Sequence, residues 1–213
     1  MKAYYYDNTL LDQRTPHDTD PTPLPPTHLT SLGITHHHLP ASDTTAVDPI
    51  ARERNYKNRD TIEISPTLLP NYEEKVKTFF HEHLHEDEEI RWILAGGGYF
   101  DVRDGEDRWV RMALEEGDLV VLPAGIYHRF TTDEKNVRCL PLNGIGLVRG
   151  FRVVFANLAP LWQYTKAMRL FKEDPKWTPL QRDEETDKNP YRQDYLKHRE
   201  EAVDSVPDGQ RMT

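Results

Sequence analysis

An antiparallel β-sandwich or barrel is predicted between about residues 60 and 131, and two observations carry it. Short apolar runs recur there at near-regular spacing: Ile90 to Leu94, Tyr99 to Arg103, Trp109 to Leu114, Leu119 to Leu122 and Tyr127 to Thr131. Turn residues separate them: Gly96-Gly97-Gly98, Asp104-Gly105, Glu116-Gly117-Asp118 and Pro123-Ala124-Gly125. Gly, Pro and Asp at those points end strands and reverse the chain. The class is therefore mainly β.

The flanking stretches read differently. Residues 1–57 are rich in Pro, Thr, Asp and His, and Pro21, Pro23, Pro25 and Pro26 cannot sit inside a helix or a central strand. We expect an irregular arm with short helices, one of them near Asp48 to Arg54. His36, His37 and His38 are consecutive, so they cannot all face one metal on a regular element; a solvated cluster is expected. Residues Asn71 to Phe80 read as a helical turn followed by an approach strand. After the barrel, Ala167 to Phe171 reads as one more strand. A polar tail with Pro175, Pro179 and Pro190 follows, expected to be disordered beyond about Lys197.

The charge balance excludes some partners. The net charge is -9 with 30% charged residues, and unaided nucleic-acid binding normally needs a basic surface. The longest uncharged stretch in the apolar C-terminal half, Val153 to Thr165, falls well short of the ~20 residues that span a bilayer. One cysteine, Cys139, allows no internal disulfide. There is no secretory pattern at the start. A cytoplasmic location, with a nuclear one also open, and a monomer without nucleic-acid or membrane partners are the expectations.

The segment His81 to Glu89 holds three histidines and five carboxylates in nine residues. Side chains two apart on a strand share a face. His83 and His85 therefore point the same way, and Glu89 and Arg91 keep that parity if no bulge intervenes. His81 has the same parity, so geometry alone leaves it in. Further on, Pro123-Ala124-Gly125 turns the chain and His128 opens the next strand, with Phe130 on its face. Three imidazoles and one carboxylate suit a divalent metal such as Fe, Ni, Mn or Zn, and leave about two octahedral positions open for substrate.

These two elements, His83 through Gly96 and Gly117 through His128, are similar to the paired motifs of cupins. More narrowly, the chain closely resembles the acireductone dioxygenases. The resemblance lies in Phe79-Phe80, His83 to Arg91, Gly98 to Asp104 and Leu122 to Thr131. It continues in Arg14 to His17, Leu32-Gly33, Arg52 to Tyr56, Leu69 to Lys75 and Tyr164 to Phe171. It implies a cupin-type double-stranded β-helix, a jelly-roll barrel over residues 71–179. An N-terminal arm over 1–70 would pack on it, with a polar, disordered tail over 180–213.

The resemblance further implies one Fe2+ or Ni2+ per chain, held by His83, His85, Glu89 and His128. His81 is left out, because the family usually has Glu or another polar residue there. The implied reaction belongs to methionine salvage: cleavage of 1,2-dihydroxy-3-keto-5-methylthiopentene by O2. The iron form yields formate and 2-keto-4-methylthiobutyrate; the nickel form yields methylthiopropionate, formate and carbon monoxide. Arg91 reads as a catalytic charge partner for the anionic substrate, or as a structural ion pair. Phe79 and Phe130 read as pocket walls, or as plain core. Arg169 is a weaker candidate of the same kind as Arg91.

One interruption departs from the family. There Asp133 to Asn136 runs directly into Tyr164; here 27 residues, Val137 to Gln163, intervene. They contain three arginines but no Asp, Glu or Lys, although the chain has 36 acidic residues. Val137-Arg138 can be encoded as a splice donor and Gln163 as CAG, with the frame preserved. We therefore read the segment as a retained intron, with a lineage-specific loop as the alternative. If it is translated, a non-catalytic metal-binding cupin disabled by the insertion is the competing function; another cupin dioxygenase is the further alternative.

Overall fold

The structure is a computed structural model that describes residues 1–134 and 164–204, so the Val137 to Gln163 interruption lies outside the described residues. Among the described residues, ten strands form two antiparallel sheets that share one long strand. That strand, β5, runs Glu89–Arg103. The first sheet has the order β1 (Lys2–Tyr5), β6 (Trp109–Glu115), β5, β8 (His128–Thr132), β4 (His83–Leu84), β10 (Leu180–Gln181). In the second, the other half of β5 pairs with β7 (Asp118–Leu122) and β9 (Thr165–Phe171), which pair in turn with β2 (Thr35–His38) and β3 (Asn58–Ile64).

The sharing of β5 corrects one sequence expectation. Gly96-Gly97-Gly98 is not a turn between two strands. It is the point at which a continuous strand leaves one sheet and enters the other, with a register shift between Ile93 and Ala95. Gly96 has φ +74°, and a Cβ there would lie 2.0 Å from the Tyr164 carbonyl oxygen. Glycine is what allows the bend and the close approach. Ile93, Phe100, Val102, Val110, Met112, Val120 and Leu122 then fill the space between the sheets.

The arm is more regular than expected. Helices α1 (Pro26–Ser31) and α2 (Asp48–Glu53) form, the latter where the sequence placed one. Yet β1, β2 and β3 are also arm segments, and each extends a barrel sheet. Four-residue strands such as Lys2–Tyr5 are too short to show a period beside so many prolines. His36 and His38 lie on the edge strand β2, and both rings meet one oxygen of Asp118, at 2.8 and 3.2 Å.

The tail expectation also needs correction. After helix α3 (Tyr72–Phe79), which replaces the helix-then-strand reading, two more helices come late: α4 (Glu184–Asp187) and α5 (Pro190–Asp204). Asp183 caps α4 by accepting from the Glu185 and Thr186 amides. Helix α5 docks through buried Tyr195 and Arg192. Arg192 donates to the Gly125 carbonyl at 3.1 Å, and its guanidinium lies 4.5 Å from the Tyr127 ring. Hydrogen bonds across the fold hold this segment as far as residue 204, and composition alone reads such a polar segment as disorder; residues 205–213 of the expected tail lie outside the described residues.

The ends that flank the interruption sit close together. Thr132 pairs with Gly98 and Thr165 with Gly96, two positions apart on β5. Two strand spacings and two residues of rise place them at most roughly 12 Å apart. Residues 133–136 and Tyr164 alone reach roughly 16 Å. A variant lacking 137–163 is therefore expected to fold with an unchanged or higher thermal midpoint and the same metal stoichiometry. Circular dichroism melts and elemental analysis check this, and a deletion variant that failed to fold would refute it.

Candidate metal centre

Four side chains meet where the two sheets face each other. His83 lies on β4, His128 opens β8, Glu89 opens β5, and His85 sits in the bend between β4 and β5. One ligand atom from each lies within 4.8 Å of the others. His85 Nε2 and His128 Nε2 lie 3.1 and 3.2 Å from the same oxygen, Glu89 Oε2. Atoms bound at about 2.1 Å to one ion lie at most about 4.2 Å apart, so sub-ångström shifts would close the group on a cation. The donor set fits a divalent transition metal.

Parity gave the right convergence for an incomplete reason. The chain bends at residues 86 and 87, so His83 and Glu89 are not on one strand. They converge because β4 belongs to one sheet and the start of β5 pairs in the other. His81 is exposed and lies outside the cluster; it contributes its carbonyl, which faces His83 Nδ1 at 2.7 Å. His128 Nδ1 meets the Ile126 carbonyl at 3.0 Å. Both contacts turn Nε2 toward the centre. His85 Nδ1 is buried with no such partner.

The charges prepare the site for a cation. Burial first, and then the neighbouring His128, pull the His83 imidazole down to about 3. Burial opposes an ionised Glu89, but Arg91 and His128 outweigh it and hold its carboxyl well below the usual range. At neutral pH His83 is therefore neutral and Glu89 ionised, so neither must lose a proton before ligating a metal.

The cluster lines a cavity of about 260 Å³, the scale of a small molecule rather than a polymer. Arg91, Arg169, Phe79 and Phe130 all line it. Arg91 lies 3.1 Å from Glu89 Oε1, so the ion-pair alternative and the pocket placement both hold. Arg169 stands opposite Arg91 on β9 and is gripped by Asp60 through two hydrogen bonds, one of 2.8 Å. Phe79 and Phe130 are partly buried and belong to both core and wall. Sequence reasoning missed Ile62, Ile64, Phe100, Trp177 and Gln181. Of these only Phe100, inside the Gly98 to Asp104 run, carried a local signal.

The acidic run around the ligands is also explained. Glu82 receives Arg103 and Arg182, Asp87 receives Lys172 and the Lys176 amide, and Glu86 receives Asn189. Glu88 pairs with Arg54. The carboxylates that do not face the centre clamp its loop to the arm and to the C-terminal segment.

Comparison with known proteins gives a consistent answer. Residues 2–142 match the model of the ARD/ARD′ family. An acireductone dioxygenase of Phaeosphaeria nodorum is 53% identical over 201 residues, covering 94% of this chain and 98% of the relative. One from Aspergillus fumigatus is 50% identical, covering 92% and 96%, and one from Branchiostoma floridae is 45% identical, covering 92% and 96%. Among solved structures, an acireductone dioxygenase from Bacillus anthracis with a cadmium ion in its active centre shares the fold. It superposes with TM-score 0.56 at 20% identity, over 76% of this chain and 94% of that one.

Proposed function

Because this chain belongs to the ARD/ARD′ family of acireductone dioxygenases, we propose that it cleaves 1,2-dihydroxy-3-keto-5-methylthiopentene with O2 in methionine salvage. The iron form yields 2-keto-4-methylthiobutyrate and formate. The nickel form yields methylthiopropionate, formate and carbon monoxide. The observation that supports this most is the placement of three imidazoles and Glu89 at one side of a cavity that two guanidiniums also line.

In this reading His83, His85, Glu89 and His128 would hold the metal, which would supply the Lewis-acid chemistry for an enediolate and the oxygen chemistry of the cleavage. Arg91 and Arg169 face the anionic oxygens of the substrate, for which a guanidinium is a matched donor. Each arrives already paired with a carboxylate, so each is held in place before substrate enters. Phe79, Phe100 and Phe130 keep water from the reacting oxygens and receive the thioether tail.

The test is oxygen uptake with product identification on the full chain loaded separately with Fe2+ and Ni2+. The expected result is turnover with both metals and carbon monoxide only with nickel. A fully loaded chain without turnover would overturn the reading and leave a metal-binding cupin without catalysis.

A further inference from the structure

The C-terminal segment brings a side chain to the centre that lies outside both paired motifs. Strand β10 pairs with β4 so that Gln181 stands opposite His83, and β4 pairs with β8 so that His83 stands opposite His128. Directly paired residues project to the same face of a sheet, with Cβ atoms about 4.5–5.5 Å apart. Gln181, His83 and His128 therefore form one row, and two of its three members belong to the metal cluster. Gln181 lines the same cavity, as do Trp177 and Pro179 just before it in the chain.

The backbone at Gln181 is held firmly. The next residue, Arg182, donates to Glu82 and Asp107 at 2.8 Å each. Glu82 lies next to His83, so the same ion pair fixes the strand that carries Gln181 and the loop that carries the ligands. The Gln181 side chain is exposed at the cavity and makes no hydrogen bond to another described residue. Arg91 and Arg169 approach the cavity from the second sheet, whereas Gln181 approaches from the first.

We propose that Gln181 is a substrate-positioning residue whose Nε2–H donates a hydrogen bond to an oxygen of the acireductone anion beside His83. This rests on the dioxygenase reading above. A neutral amide suits the position: it donates to an anion without adding a charge next to the ligands. A carboxylate at the same point would repel the substrate.

Steady-state kinetics on the metal-loaded full chain test this, together with anaerobic calorimetric titration of an unreactive acireductone analogue. Gln181→Leu is expected to raise KM and the analogue Kd roughly tenfold, the scale of one hydrogen bond to a charged group. Gln181→Glu should raise both further. In each variant kcat, metal content and thermal midpoint should stay near wild type. If wild type turns over and both variants keep its KM and analogue Kd, the assignment of Gln181 is overturned while the dioxygenase reading stands. Loss of metal with unchanged KM would also overturn it. A loaded wild-type chain without turnover removes the dioxygenase reading and this assignment together.

Discussion

Replacing His128 by Ala is expected to remove bound metal and oxygen uptake together. His128 is 2% exposed, its Nδ1 is fixed by the Ile126 carbonyl, and its Nε2 lies 3.2 Å from Glu89. It is the one imidazole contributed from β8, so nothing else in the cluster can replace it from that side. Loss of a mere partner of a metal ligand costs roughly 10–100-fold in affinity or activity, and loss of the ligand should exceed that. Elemental analysis after metal loading is the direct readout, and full occupancy in the variant would refute the ligand assignment. His81→Ala is the matched control. It removes a ring that lies outside the cluster and leaves the carbonyl that faces His83, so metal content should stay near that of wild type.

The contrast between His81 and His128 also shows what was legible from residues alone. The His-x-His element, the glutamate and the Pro-x-Gly turn before His128 are local patterns, and each survives in the structure as a local feature. Sheet membership is not local. Alternation along one strand accounted for His83 and Glu89 together, whereas the chain bends between them and two sheets bring them back. The same limit hid Gly96, whose positive φ serves a strand that changes sheets rather than a turn. It hid Gln181 completely. Its place depends on β10 finding β4 across about a hundred residues of chain, which no neighbouring residue announces. The helices of the tail were missed for a different reason. Their docking rests on partners far away in sequence: Tyr127 donates to Asp187, Asn189 to Glu86 and Arg192 to the Gly125 carbonyl, and polar groups that pair across the fold look, in sequence, like groups that are merely solvated.

Arg111→Met is expected to lower stability by roughly 3–5 kcal/mol, the cost of leaving one partner of a buried ion pair alone. The Arg111 side chain is fully buried, and it donates to Asp101 at 2.7 and 3.0 Å. Its remaining amine donates to the Gln13 and Thr15 carbonyls of the arm at 3.1 and 2.6 Å. The Tyr6 and Tyr99 rings lie 4.4 and 4.6 Å from the guanidinium. One side chain therefore joins β6, β5 and the arm. Arg129 also reaches Asp101, at 2.8 Å, so the carboxylate is not stranded and the loss should fall toward the lower end of that range. At about 2–4 °C per kcal/mol for a chain of this size, the thermal midpoint should drop by roughly 6–12 °C. None of these groups belongs to the metal cluster, so the folded fraction should keep its metal stoichiometry and its KM. A denaturant titration showing a loss below about 1 kcal/mol would mean that the arm is held by its strands β1 to β3 alone. A loss of metal at full folding would mean that the Asp101 network supports the centre through β5, which carries Asp101 at one end and Glu89 at the other.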